Sequence, residues 1–304
     1  MKLVQTLIVR DEAEFLDAHL AFHLNAGVDF VVATHHGSPG AASEILEWYE
    51  RAGYVRLFRE QGGPRLAEWR TNMARLAATE YEAEWVINSG PEEFWWPRGE
   101  SLEDVLAPIP LRYTVIQGLV REFVDGSGGD ELFSERMTRR RSLQNHSHSG
   151  HASPAAILRP VHRADPNVVV HADGTVGVNP FVPLRAWYPI EVFRFPVGDG
   201  KSDGSLVTDT RLRDALRVLR ERAPSEGKPG SFALPGPDAP VLSFRTPDVV
   251  DDAAYAVECA AVGEVDLPRL ETYIAELEHR IAWLEQRFWP RVLRLASRLL
   301  RRPA

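Results

Sequence analysis

Apolar positions in the first third of the chain keep two rhythms. Residues 3–9, LVQTLIV, form a near-continuous apolar run with β-branched members, the pattern of a strand buried on both faces of a parallel sheet, and the chain turns polar at Arg10-Asp11-Glu12. From Glu14 to Ala26 the residues Phe15, Leu16, Leu20, Phe22 and Leu24 recur at helical spacing, and Gly27 stands where a helix-terminating glycine is expected. DFVVA, residues 29–33, predicts a second strand that ends in the turn-rich loop Thr34 to Gly40. Residues 42–52 predict a helix closed by Gly53, residues 54–58 a third strand, residues 65–80 an amphipathic helix carrying Trp69, Met73, Leu76 and Ala77, and residues 84–88 a fourth strand.

Strand and helix alternating through short loops predict an α/β fold, a mostly parallel Rossmann-like sheet with helices on both faces. Ligands of such sheets bind beyond the carboxyl ends of the strands. Three strand exits then share one rim: Arg10-Asp11-Glu12, the His35-His36 loop, and Asn88 to Glu93. Further on, residues 111–124 predict an antiparallel partner broken by Gly126, Gly128 and Gly129. Residues 156–161, 167–171 and 190–195 predict short strands, and residues 145–154 a polar loop.

The last third reads differently. Residues 198–204 are turn-like, and residues 223–240 hold clustered prolines and glycines. Ile274, Leu277, Ile281, Leu284 and Phe288 then repeat at alternating steps of three and four, the seam of a short coiled coil. Beyond Pro290, arginines from Arg291 to Arg302 interleave with Val292, Leu293, Leu295, Leu299 and Leu300. The expected domains are 1–200, an irregular segment 201–266, and a coiled-coil and basic tail 267–304. The seam over 267–290 fits a homodimer, since a few heptads seldom hold a helix alone. Residues 289–302 have the make-up of a segment lying on an anionic membrane surface.

Composition narrows the field. With 304 residues the chain can bury one large α/β core or two small ones. A formal net charge of −8 and a pI of about 5.7 argue against a general nucleic-acid binder. The single cysteine, Cys259, allows no intrachain disulfide or cysteine-based zinc cluster, which suits a reducing cytoplasm. The N-terminal apolar run is too short for a signal-peptide core, and no stretch reaches the ~18 apolar residues of a membrane span. The expected location is cytoplasmic, with the basic tail offering peripheral contact with the inner membrane face. Lysine is scarce beside arginine, as in GC-rich bacteria.

The segments VRDE, HHGSPGAASEIL and WVINSGPEEFWWP follow the first, second and fourth predicted strands in that order. Together with Ser134-Glu135-Arg136-Met137 and Ile157-Leu158-Arg159-Pro160, this order resembles bacterial family 2-type glycosyltransferases of the GT-A fold over roughly residues 1–200. The family's corresponding segments read VRNE, an Asp-Asn-containing loop and an Asp-x-Asp segment. Here Gly90 stands at the first aspartate and Glu92 at the second, His35-His36 replace the Asp-Asn pair, and Arg194 occupies a position where relatives often carry histidine. The motif is degenerate at its ligand positions while its framework persists.

The resemblance implies a glycosyltransferase moving a sugar from a nucleotide-sugar donor to an unknown hydroxyl acceptor. Arg10, Asp11, Glu12, His35, Ser38, Asn88 and Glu92 are its candidate nucleotide-sugar ligands, Glu93 and Asp173 its candidate catalytic residues, and Glu92 its candidate metal ligand. One aligned carboxylate binds Mg²⁺ or Mn²⁺ far less well than a pair, so weak or absent metal dependence is expected. Several assignments stay open between function and plain structure. Trp95 and Trp96 read either as a stacking wall or as core, Asp11 and Glu12 as nucleoside contacts or helix N-terminal charges, and His35 and His36 as ligands or turn residues. The run Arg139-Arg140-Arg141 reads as a diphosphate clamp or a solvated face, and His146, His148 and His151 as a small metal cluster or a polar loop. The alternatives to an enzyme are a catalytically silent protein that binds a partner enzyme or glycan, and a nucleotide-binding regulator. A truncation ending at Asp266 should run as a monomer in sedimentation velocity, and should lose liposome binding if the tail lies on membranes.

Overall fold

Strand β1 (Leu3–Val9) is buried along its whole length, and its side chains divide two cores. Leu3, Leu7 and Val9 point to one face, where they meet Phe15, Leu16 and Phe22 of α1 (Ala13–Asn25) and Ile45, Leu46 and Tyr49 of α2 (Ala41–Arg51). Val4 and Ile8 point to the other, against Trp69, Met73 and Ala77 of α3 (Leu66–Thr79). A computed structural model gives this structure and describes residues 1–125, 131–142, 158–184, 187–195, 206–223, 230–236, 242 and 244. Residues 1–262 form one compact unit and residues 263–304 a second, which lies outside the described residues.

β1 pairs in parallel with β2 (Phe30–His35) and with β4 (Trp85–Ser89), and β2 pairs in parallel with β3 (Val55–Arg59). Beyond β4 the pattern changes. The ladder that follows uses β5 (Glu93–Pro97), β6 (Val115–Val124), β7 (Arg139–Arg141), β8 (Leu158–Arg163), β11 (Ile190–Arg194) and β12 (Leu206–Thr208). β8 is antiparallel to both β4 and β6, which it separates, and β7 and β12 extend the edge. β11 lies parallel to β6 and antiparallel to β5. β1, β2, β3, β4, β6, β11 and β12 therefore run one way and β5, β7 and β8 the other. The fold is mixed α/β, and its sheet is mostly parallel in strand direction. A small hairpin of β9 (Val169–Val170) and β10 (Val176–Gly177) covers the α3 face.

The first four strands and three helices lie within two residues of their expected positions. Gly27 and Gly53 carry positive φ at the helix ends, as their sequence position implied. Residues 111–114 do not join the strand expected over 111–124. The aromatic stretch after β4 is itself a strand, β5, buried at every position. Trp95 and Trp96 are 0% and 3% exposed, with Trp96 stacked on Phe193 at 5.4 Å between centroids, so they are core and no ligand wall.

The segment expected to be irregular carries a helix of its own, α6 (Arg211–Glu221), which follows the short helices α4 (Leu102–Leu106) and α5 (Phe133–Arg136) in chain order. Its Leu212, Leu216 and Leu219 are buried with α1. Residues 230–233 strap across the same helix: Ser231 donates its amide to Asp17 Oδ2 at 3.0 Å, and Asn25 Nδ2 donates to the Ala233 carbonyl at 2.9 Å. Phe244 packs edge-on to Phe22 and Trp96. The triplet over 145–154, the turn-like 198–204, and the coiled coil and basic tail of 267–304 lie outside the described residues. Among the described residues no helix is long and apolar enough to cross a membrane.

α6 is pinned by buried charge. Arg121 on β6 donates to Glu191 Oε1 on β11 at 2.5 Å, Arg211 donates to Glu191 Oε2 at 2.6 Å and to Asp209 Oδ2 at 2.7 Å, and Arg140 on β7 donates to Asp209 Oδ2 at 3.0 Å. All five residues are at most 7% exposed. The run Arg139-Arg140-Arg141 is thus neither clamp nor solvated face at its centre, because Arg140 is committed to Asp209. Burial alone would push the Glu191 carboxyl up; the guanidiniums of Arg121 and Arg211 override it and hold it far below the ordinary carboxylate range. That depressed pKa contributes stability above the ordinary value of 4.5 and loses it as pH falls below. Arg211→Met, which takes one of two cationic partners from each of two buried carboxylates, should cost about 3–5 kcal/mol in urea unfolding at pH 7. The penalty should shrink as pH falls below 4.5, because the unfolded chain then takes up protons that the folded, ion-paired Glu191 does not.

Candidate functional site

Parallel pairing puts the exits of β1, β2 and β4 on one edge, with Val9 level with His35 and Leu7 level with Ser89. The exit of β3 joins them, since Glu60 donates its amide to the His35 carbonyl at 2.9 Å. Between these loops lies an open cleft of about 360 Å³ lined by Arg10, Asp11, His36, Ser38, Glu60 and Gln61 among others. Gly37 closes its floor. A Cβ there would stand 2.3 Å from the Arg10 carbonyl oxygen and 2.9 Å from Asp11 Oδ1, so only glycine lets the two loops approach this closely.

The expected ligands divide. Arg10, Asp11 and Ser38 line the cleft. Glu12 turns back on its own loop, accepting from the Arg10 amide at 2.7 Å. His35 is 5% exposed, with Nε2 3.1 Å from the Arg10 carbonyl, and does not line the cleft. As the last residue of β2 its side chain joins the two strand ends; the next residue, His36, points outward and rests on Trp69 at 5.1 Å between centroids. Asn88 is 8% exposed and accepts from Thr6 Oγ1 at 2.8 Å, while its amide nitrogen is buried without a partner.

The turn after β4 is the most constrained part of the rim. Glu93 donates its amide to the Gly90 carbonyl at 3.1 Å, and Ser89 Oγ, itself held by Trp95 Nε1 at 3.0 Å, donates to that carbonyl at 3.0 Å. The Glu93 carboxylate is engaged at both oxygens, by Arg159 Nε at 3.0 Å and by the Gly90 amide at 3.3 Å. It braces the turn and leaves no oxygen aimed outward. Beneath lie two buried histidines of α1. His23 accepts from the Trp95 amide at Nε2 and so donates from Nδ1 to the His19 carbonyl at 2.7 Å, which keeps it neutral; burial pushes its pKa down to about 3.

Glu92 occupies the space that Gly90 leaves. A Cβ on Gly90 would fall 2.5 Å from Glu92 Oε2 and 2.8 Å from Oε1, so the longer side chain folds back over the glycine. Burial, then the neighbouring Glu93 and more distantly Glu12, raise the Glu92 pKa above its ordinary 4.5. Arg70 on α3 lies in the field of this carboxylate. Burial lowers its pKa, and the charges of Glu93, Arg159, Glu92 and Asp173 all act on it. Arg194 pairs with Glu122 at 3.4 Å, and its charge also acts on Glu92, opposing the rise.

Asp173 stands apart from the cleft, in a second cavity of about 260 Å³ on the β6–β8 flank that Arg159 also lines. The Thr175 amide and hydroxyl both donate to its Oδ1, at 3.0 and 2.7 Å, and lower its pKa. A carboxylate stabilised in this way is a weak base at neutral pH. Among the described residues no group of three or more His, Cys, Asp or Glu side chains could hold a metal ion. With Glu93 paired to Arg159, the described residues do not make up a divalent-cation site. The sequence reading named His36 beside His35 without separating the outward from the inward ring, and passed over the β3 exit, Arg70 and the Arg159–Glu93 pair. The rule that ligands gather at strand ends reaches Glu60 and Gln61; nothing in the sequence marks Arg70.

Neither a protein-family model nor a curated protein sequence matches the chain. Among solved structures it is similar to TarS of S. aureus. The crystal structure of TarS 1–349 in complex with UDP is 16% identical over 54% of this chain and 47% of that one, with a TM-score of 0.34. A second structure of TarS 1–349 is 15% identical over 73% of this chain and 64% of that one, and a structure of TarS is 15% identical over 73% and 39%, both with a TM-score of 0.33. The chain thus spans about half the length of the UDP-bound fragment. Likenesses this distant assign no activity.

Two glycines separate the roles of the rim. At Gly37 the obstacle is backbone, so Gly37→Ala should cost about 1–3 kcal/mol in urea unfolding by forcing the loops apart. At Gly90 it is the end of a flexible side chain. Gly90→Ala should cost under about 1 kcal/mol while displacing Glu92, whose carboxyl titration, followed by NMR, should return towards 4.5.

Proposed function

We propose that the chain is a glycosyltransferase that binds a nucleotide sugar across the Arg10–Asp11–His36 cleft and the turn at Glu92. In the reaction an acceptor hydroxyl oxygen bonds to the anomeric carbon as the bond from that carbon to the diphosphate oxygen breaks; the hydroxyl proton and the nucleoside diphosphate leave. The observation that carries the reading is the position of the Glu92 carboxylate, folded over Gly90 on the rim where β1, β2, β3 and β4 end. A carboxylate is thereby retained beside the place where the family's first aspartate stands, although the sequence has a glycine there.

Within this reading Asp11 and Ser38 hold the nucleoside, Glu92 accepts a hydroxyl of the ribose or of the donor sugar, and Glu93 positions the turn. Asp173 is not the base. Since the donor set does not fit a divalent cation, compensation of the leaving diphosphate falls to arginines, with Arg10 lining the cleft and Arg70 in the field of the turn's carboxylates. Preorganised guanidiniums can stabilise developing phosphate charge without a metal. The same engagement of Glu93 by Arg159 favours a second reading, a protein that binds the nucleotide or a glycan without turnover.

Thermal unfolding with a panel of nucleoside diphosphates and nucleotide sugars tests this. Saturation at about 100 times Kd adds roughly 2.7 kcal/mol, which for a domain of this size is a rise of several degrees. One nucleotide should give such a shift, equally with Mn²⁺ and with excess chelator, and Asp11→Ala should remove most of it. Absence of any shift would sink the donor site; a shift without transfer to any acceptor would leave the silent reading.

A further inference from the structure

We infer that the second cavity, between the β6–β8 surface and the hairpin loop 171–181, binds one neutral sugar ring, with Phe181 as its stacking platform and Asp173, Thr175 and Gln117 as partners for its hydroxyls. As the site of the acceptor it rests on the transferase reading; as a sugar site it stands by itself.

The loop that forms one wall is built before any ligand arrives. Gly174, at φ +86°, makes the tight turn, closed by the His171 amide on the Thr175 carbonyl at 2.9 Å and by the Gly174 amide on the His171 carbonyl at 3.1 Å. Arg70 donates to the Ala172 carbonyl and Thr71 Oγ1 to the Val170 carbonyl, tying the hairpin to α3. Asp173 Oδ1 receives both Thr175 donors. The carboxylate is therefore fixed in direction and kept ionised, a good acceptor of hydrogen bonds from hydroxyls and a poor base.

Phe181 is 51% exposed, unusual for a phenylalanine, and lines the cavity together with these polar groups. An aromatic face carries the negative part of the ring quadrupole and receives the C–H groups of a pyranose. Gln117 on β6 adds a carboxamide that makes no hydrogen bond among the described residues. Charge argues against ionic ligands. Arg159 in the cavity is already matched by Glu93 at 3.0 Å, and Asp173 lies in the field of Arg70, so neither anion nor cation is favoured. The volume of about 260 Å³ lies below the roughly 300 Å³ where pockets for drug-sized ligands begin, which suits one ring rather than a chain. Arg159 borders the cavity while its Nε holds the Glu93 turn, so a ring bound here sits beside the proposed donor site.

The test uses the full chain and saturation-transfer NMR with methyl glucoside, methyl galactoside and methyl N-acetylglucosaminide, alongside the nucleotide thermal shift. At least one glycoside should bind. Phe181→Ala and Asp173→Asn should each weaken it about tenfold or more, Phe181→Trp should retain it, and the nucleotide shift should stay unchanged in all three. A nucleotide shift with no glycoside bound, or glycoside binding indifferent to Phe181→Ala and Asp173→Asn, overturns the sugar site and leaves the donor site intact. Glucose 1-phosphate binding more than about tenfold tighter than every glycoside also overturns it, because the site would then select charge. Phe181-dependent glycoside binding with no nucleotide shift supports the sugar site and sinks the transferase reading.

Discussion

Everything on the candidate rim depends on the parallel pairing of β1 with β2 on one side and β4 on the other. Because both neighbours run in its direction, their C-terminal loops must emerge on one edge, and residues far apart in sequence meet there. Helices packed on both faces bury all seven residues of β1, Gln5 among them, although its carboxamide has no hydrogen-bond partner among the described residues. Gly37 then sets how tightly the first two loops close, through van der Waals contact with the Arg10 carbonyl. Strand order supplies the site's location, and a single missing side chain supplies its depth.

The turn at residues 89–93 shows how a rim can keep its shape while its chemistry changes. Its hydrogen bonds come from Ser89, the Gly90 amide and the Glu93 backbone, its support from His23 and Trp95 beneath, and its outer brace from Arg159. None of these depends on the side chain at position 90. That freedom lets the carboxylate come from Glu92, one bond longer and folded backwards, in a space that a substituted residue 90 would claim.

Periodicity exposed the first four strands, the three helices between them and the shared rim, because burial on one or both faces writes itself into the order of apolar residues. It missed β5 as a strand because Phe94, Trp95 and Trp96 form a continuous aromatic run, equally at home in a wall or a core. It missed α6 because Arg211, Asp209 and their partners look like surface charge until the other members of the cluster are brought beside them. The site divides along the same line. Arg10, Asp11 and Ser38 were legible from their position at strand ends, whereas the inward turn of His35 depends on β-strand alternation being kept to its last residue. The Arg159–Glu93 pair joins residues 66 positions apart, and no local pattern encodes it.

The buried cluster of Arg121, Arg140, Glu191, Asp209 and Arg211 bears on how the chain is made. A ribosome delivers β6 and β7, with two of the three guanidiniums, well before β11 brings the first carboxylate and α6 the last cation. Until Glu191 and Asp209 have left the exit tunnel, the antiparallel half of the sheet would have to bury Arg121 and Arg140 without their carboxylates, which is costly. The parallel half, β1 to β4, carries no such debt. Synthesis therefore separates the sheet in time: an early half free to assemble as it emerges, and a late half that waits for its two carboxylates.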